Sequence, residues 1–464
     1  MGILYHFTMP ADKWDENHPD KQTILTLICK HRGFAEKLRK NKEYYEGIHK
    51  ILAEDRRNQL VCNHAKDIAD TASAYFIGNP ISYKADGDIK GLTDLLDIAG
   101  ADEVDGDNGL DLSIYGLAYE YIYTKQGETT LSVRNLCAEN TFMVYDDTIE
   151  ENELFAVYYY ARRDDTGQTA EVFVATVLTK NWKYILNILN TGGPQELMET
   201  PQPHYFNDVP VIEYRNNKLA IGDYELQIPL IDAYNALMSD RITDKEQFID
   251  AILAIYGALL GDEDATDVDG KTAAQRLKED KLLELPKDSK AEYITRTFDE
   301  SGVEILKKAI EQDIHKFSHV PCMTDESFGG NVSGVAMEFK LLGLENITKI
   351  KTRYYKKGLR KRLRIFAGWL HTSRQIVIDT RGITPTFTRA LPKNLLEISQ
   401  IVANLWGKVS KKTLLSQIPF VDDVDEELAA VEKETEETVK QQQAMFGLGS
   451  NTPPPEEDPE DVDE

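Results

Sequence analysis

Three stretches of this sequence set ligand-type side chains at spacings that chemistry uses. His315, His319 and Cys322 stand four and three residues apart, and imidazoles with a thiolate so spaced can hold zinc. The set has no fourth ligand nearby, and Pro321 interrupts the segment that would align it, so a structural role is expected. Asp262, Asp264, Asp267 and Asp269 line an acidic turn. A calcium loop beginning at Asp262 needs glycine at 267 and glutamate at 273; this chain has Asp267 and Ala273, and a solvated turn is expected. Gly270-Lys271-Thr272 is the end of a phosphate loop without its beginning, because position 265 is alanine and Asp267 and Asp269 would repel phosphate. No serine-hydrolase, zincin or kinase motif is present. The expectation is a protein that is not an enzyme, with no metal and no cofactor.

A fourth pattern is sharper. Between Lys340 and Arg364 lie Lys340, Lys349, Lys351, Arg353, Lys356, Lys357, Arg360, Lys361, Arg362 and Arg364 against one acid, Glu345. Helical periodicity puts Lys349, Arg353, Lys356, Arg360 and Arg364 on one stripe. Ile347, Ile350, Tyr354, Leu359, Leu363 and Phe366 are expected on another, apolar sector, with Gly343 and Gly358 as points where the helix kinks. The stripe has two readings: contact with phosphates, or pairing with acids of the same chain or a neighbour. The glycine-rich FGGNVSG just before it demands backbone freedom.

This stripe belongs to a chain of 464 residues with formal charge −26. Acidity concentrates at the end: Val421–Glu464 carries sixteen acids and two bases, and NTPPPEEDPEDVDE has no base at all, the composition of a disordered tail. So acidic a surface disfavours tight nonspecific nucleic-acid binding, which comes from neutralised phosphates. Cys29, Cys62, Cys137 and Cys322 form no CxxC pair, as expected of thiols in a reducing compartment. MGILYHFTMPADKW does not read as a signal peptide, and the longest apolar run, Ala251–Leu260, is too short for a bilayer. No membrane association is expected.

The elements that would position these residues are mixed. A helix is expected over Asn58–Ile77, stopped by Gly78-Asn79-Pro80, and a short one over Asn108–Tyr115. AYEYIYT and TLSVRNL flank a KQGE turn as a hairpin. Further strands follow to about residue 190, with a last one at Pro210–Tyr214. From Ile228 the spacing turns helical, to Tyr256. Residues 258–300 form a small α/β insert. Ser301 and Glu304 have the form of a capping box for a helix ending at Phe317. ITPTFTRAL is a strand, and the remainder is helical.

Four stretches, in this order, resemble one family: RRNQLVCNHAKDIADTASAYFIGNPISY, IPLIDAYNALMSDRITDKEQFIDAILAIYG, SGVAMEFKLLGLENITKIKTRYYKKGLRKRL, and the C-terminal LPKNLLEISQIVANLWGKVSKKTLLSQIPFVDDVDEELAAVEKE. It is that of the portal proteins of tailed double-stranded DNA bacteriophages, in the group found in long-tailed phages of Gram-positive hosts. The resemblance implies an α+β portal-type fold. Its wing would be residues 1–227 with 334–391, its stem the helices 228–257 and 301–317, and its clip 258–300. The tunnel loop would be 318–333 and the helical crown 392–446, ahead of the tail 447–464. It implies a dodecameric ring at one capsid vertex of the virion, assembled in the host cytoplasm, with double-stranded DNA passing through. Terminase large subunit, head–tail adaptor, major capsid protein and scaffolding protein would be its partners. Ser318, His319, Thr324, Ser327, Gly329, Gly330, Asn331 and Ser333 would be tunnel-loop residues facing DNA. Asp262, Asp264, Asp267, Arg276 and Lys278 would serve docking at the clip. The rival from another class is a cytoplasmic DNA-binding protein using the basic helix 340–364, weakened by the overall charge and by the lack of a compact helix-turn-helix.

Overall fold

The computed structural model describes residues 6–125, 127–162, 172–189, 201–249, 252–256, 290–294, 300–322, 334–389, 395–416, 418, 421 and 424–445. A short strand, β1 (Phe7–Met9), leads to the helix α1 (Lys21–Glu46). Asp20 caps α1 by accepting from the amides of Gln22 and Thr23, donors that a helix start leaves open. The next helix, α2 (His64–Ile77), begins six residues later than its periodicity suggested. Asn63 caps it, and the amides upstream are taken by side chains of the helix 228–249. Leu60 N donates to Ser239 Oγ (3.0 Å) and Cys62 N to Asn235 Oδ1 (2.8 Å). Amides satisfied from outside have no call for a helix.

After β2 (Ser82–Lys84) come α3 (Lys90–Ile98) and α4 (Ala101–Tyr115). The helix expected from Asn108 thus starts at Ala101, directly after Gly100 in the left-handed region. The hairpin forms as expected, from β3 (Leu117–Thr124) and β4 (Leu131–Leu136). Then follow β5 (Thr141–Asp146), β6 (Glu153–Arg162), β7 (Val172–Leu178), β8 (Trp182–Leu189), β9 (Gln202–Pro203) and β10 (Val211–Arg215). Two sheets result, ordered β1-β5-β6-β7-β8-β9 and β10-β3-β4. Ile24, Leu25, Leu27 and Ile28 of α1 pack with Phe142, Phe155, Val157, Phe173 and Leu186 in one core. A second core joins α2, α3, α4 and the three-stranded sheet to a long helix further along the chain.

The helix α5 (Ile228–Ile249) is shorter than expected. Residues expected to prolong it form β11 (Ile252–Tyr256), antiparallel to β12 (Lys290–Ile294). ILAIY is rich in strand-forming residues, and the distant partner strand overrides its helical phase. The following helix, α6 (Glu300–Ser318), already includes Glu300, so Ser301 is not its cap. Glu304 bonds across instead. Arg241 of α5 reaches Glu304 (2.9 Å) and Glu300 (3.2 Å), and Lys245 reaches Glu300 (2.8 Å).

A short helix, α7 (Gly334–Lys340), is separated at Leu341 from α8 (Leu342–Arg374). The interruption falls beside Gly343, not at it, and the helix runs on through Gly358. That glycine allows close packing instead of a kink: a Cβ there would lie 2.3 Å from Tyr214 Cε1. The strand expected over ITPTFTRAL is only β13 (Thr384–Thr386), antiparallel to β2; Pro385, which has no amide hydrogen, suits a short edge strand. The chain ends in α9 (Leu395–Leu405), α10 (Lys411–Leu415) and α11 (Val424–Met445). Two units form: Met1–Phe328 with Lys340–Ala390, and Gly329–Phe339 with Leu391–Glu464. All of α7 but Lys340 thus belongs to the unit of the C-terminal helices. In the second unit Ser410 caps α10, and α10 packs on α11.

Candidate assembly and DNA-contact surfaces

The basic helix α8 divides its charges between two faces. On the inner face, Arg362 is 0% exposed. Its guanidinium donates to both oxygens of Asp105 (2.9 and 2.6 Å) and to Glu120 Oε1 (2.8 Å), with a further bond to Glu120 Oε2. Tyr355 donates to Asp105, and Tyr214 to Glu120 (2.8 Å). Burial opposes the positive charge, but the two carboxylates outweigh it and hold the Arg362 pKa well above its usual value. Burial, and then the neighbouring carboxylates, push the Tyr355 hydroxyl well up. Lys351, also buried, reaches Asp223 (2.7 Å) and Ser113 Oγ (3.1 Å). Lys361 bonds to Val211 O (2.7 Å) and pairs with Glu153. These three cations join α8 to α4, to β3, β6 and β10, and to the turn before α5. None of the three belongs to the stripe; they pair the inner face of α8 with acids of its own chain.

The outer face carries the stripe. Lys349, Arg353, Lys356, Arg360 and Arg364 fall within an arc of about 80° at helical pitch, on the side away from Tyr355 and Arg362. Lys349, Arg353, Arg360 and Arg364 are exposed, and Lys356 is half-buried with its ammonium 5.8 Å from the Phe387 ring centre. Lys349 lies 3.7 Å from Glu345, and Arg364 bonds to Asp208 at 2.7 Å. Among the described residues, Arg353, Lys357 and Arg360 have no acid within ion-pair distance. The structure thus brings all five predicted stripe residues together. The apolar sector is partly displaced: Ile350 is 44% exposed, and Tyr355, not Tyr354, is in the core.

Arg362, Lys351 and Lys361 were missed as internal groups because their residue types match the stripe. Phase could have found them. Arg362 stands beside Leu363 and four residues before Phe366, while Lys351 stands four before Tyr355; these neighbours are all core residues.

Of the loop residues, Ser318 is the buried last residue of α6. Its hydroxyl donates to His315 O (3.1 Å) and accepts from Val320 N (3.3 Å). His319 is exposed, with φ 61. Thr324, Ser327, Gly329, Gly330, Asn331 and Ser333 lie outside the described residues, as do Asp262, Asp264, Asp267, Arg276 and Lys278 at the insert. His315 Nδ1 donates to Val320 O (3.0 Å), which closes the end of α6. Among the described residues, no three His, Cys, Asp or Glu converge on a metal position, and no helix is long and apolar enough to cross a membrane.

Against known proteins, the family model described as "Phage portal protein, SPP1 Gp6-like" matches residues 26–441. The chain belongs to that phage portal family. The portal protein of Bacillus phage SPP1 is 25% identical over 94% of this chain and 88% of its own length. The portal protein of Clostridium phage phiCD119 is 23% identical over 80% of this chain and 83% of its own. A solved structure titled "Neck of empty GTA particle computed with C6 symmetry" is 13% identical, with 76% of this chain and 89% of that one covered and a TM-score of 0.42. The match includes the whole of α8, so both faces described above are features of a portal chain.

Proposed function

We propose that this chain is the subunit of a non-enzymatic portal ring at one capsid vertex, the channel for DNA packaging and ejection. The observation that carries it is the family match across residues 26–441. In this reading α5 and α6 are the stem, and the stretch between them is the clip that meets the terminase large subunit and then the head–tail adaptor. Residues 318–333 are the tunnel loop and 392–446 the crown; major capsid and scaffolding proteins surround the ring as it assembles in the host cytoplasm. The stem pair supports an oligomer. Two helices cannot cover each other on all sides, and Ile305, Leu306 and Phe317 of α6 are left exposed, apolar side chains that a neighbouring stem would cover. An acidic protein also suits a conduit, because every retained phosphate contact would slow the passage of DNA. The DNA-binding regulator has no specific observation in its favour.

Mass measurement of the purified full chain tests the reading. Closed rings of about twelve subunits are expected, the size that the family resemblance implies. A species that stays monomeric or dimeric at every concentration refutes it. Removing residues 262–295 should leave rings that no longer dock terminase or adaptor, and docking by such rings would refute the clip assignment.

A further inference from the structure

The exposed cations of α8 have a counterpart on the same subunit. In the second half of α3 stand Asp94 and Asp97, in the first turn of α4 Asp102 and Glu103, and one turn further Asp107. All five are exposed, and no described base pairs with any of them. They crowd one another: burial, then the charges of Asp105 and Asp97, raise the Asp102 pKa, and burial, then Glu103, raise that of Asp107. Like charges one helical turn apart destabilise a helix unless a cation lies between them. Ile98, 66% exposed, sits among these acids. On α8, Ile350 sits among Lys349, Arg353 and Lys357 in the same way. Each patch is an apolar side chain inside a charged rim, and the two rims have opposite sign.

Within one subunit no ion pair joins the two patches among the described residues, although their helices touch. α3 packs against α8 through Leu92, Leu95 and Leu96, in the core that holds Leu359 and Leu363. Ile350, Arg353, Lys357 and Arg360 are exposed on the side of α8 away from the buried Tyr355 and Arg362. A ring, moreover, closes through a heterologous contact, which needs two different and complementary patches on every copy.

We propose that the outer face of α8, with Arg353, Lys357, Arg360 and Ile350, docks on the acidic α3–α4 ridge of the adjacent copy. This rests on the ring reading. It also settles the stripe on a subunit contact and not on DNA, because DNA would leave the ridge uncompensated and Ile350 without a partner. Charge here sets register and encounter rate as well as affinity.

The test is a charge swap in the full chain, with mass photometry across a dilution series and thermal unfolding as the control for folding. R353E/R360E and D97K/E103K are each expected to stay folded and to weaken ring assembly about tenfold or more; the four-substitution swap is expected to restore it. Should R353E/R360E unfold, R353Q/R360Q replaces it with the same expectation. If wild-type rings form and both one-sided variants also assemble normally, the inference is overturned while the ring reading stands. Rings that are intact but package DNA poorly would assign the stripe to DNA and overturn it too, as would a swap that does not rescue. Absence of wild-type rings would overturn the ring reading itself.

Discussion

Arg362 and Arg360 are two residues apart on one helix, and the fold uses them in opposite ways. Arg362 faces inward, loses all contact with water, and is held by two carboxylates and the tyrosines that bond to them. Arg360 faces outward with no acid near it among the described residues. The inner cations fix where α8 sits within its own subunit; the outer ones stay available for something else. A charged residue on a helix is therefore read by its phase, and its type alone does not separate folding from assembly.

The largest effect should come from breaking the inner face. Arg362→Ala leaves Asp105 and Glu120 buried without a counter-charge, which costs about 3–5 kcal/mol. Urea unfolding of the monomer should show the loss directly, or the variant should be insoluble. An unchanged midpoint would mean that water reaches the two acids. Next is Gly358→Ala. The new methyl would press into the Tyr214 ring, whose face stacks on Tyr355 at 4.3 Å, and overpacking of this kind costs about 1–3 kcal/mol.

A smaller effect is expected at the edge of the inner network. Asn135 links Asn108, which bonds to Glu120, with Asp111 (2.8 Å). Burial, opposed by the Asn135 hydrogen bond, lifts the Asp111 pKa to about 7. An unfolded aspartate releases its proton near pH 3.9. Between about pH 4 and 7 the folded chain thus holds a proton that the unfolded chain has lost, and this group's contribution falls as pH rises. Asp111→Asn should remove that slope, so the variant should gain on the wild type between pH 5 and pH 8. An equal gap at both would mean that Asp111 titrates normally. Smallest of all, Arg353→Gln should change monomer stability by less than about 0.5 kcal/mol, as surface substitutions do. A larger loss would mean that the outer face also contributes to folding, and would blur the contrast between the two sides of α8.

Much of this was legible in the sequence. The β3–β4 hairpin, the existence of α2, α5 and α6, and the stripe on α8 all follow from local periodicity and turn chemistry. What escaped depended on distant partners. The start of α2 depends on Ser239 and Asn235, nearly two hundred residues further on. The end of α5 depends on β12, and the role of Gly358 on a tyrosine of β10. Among the candidate site residues, the stripe was readable because helical phase is local. Arg362 was overlooked because its partners, Asp105 and Glu120, are more than two hundred residues away in sequence.

The Asp105–Glu120–Arg362 cluster also constrains how portal chains of this kind can diverge. Losing any one member strands a charge in the interior, whereas replacing all three with apolar residues of similar volume costs little and can even stabilise. Intermediate sequences are therefore penalised while both end points are viable. The three positions should change together or not at all, and in a lineage that has crossed over, Tyr214 and Tyr355 would lose the carboxylates that now accept their hydroxyl protons and be released to become phenylalanine.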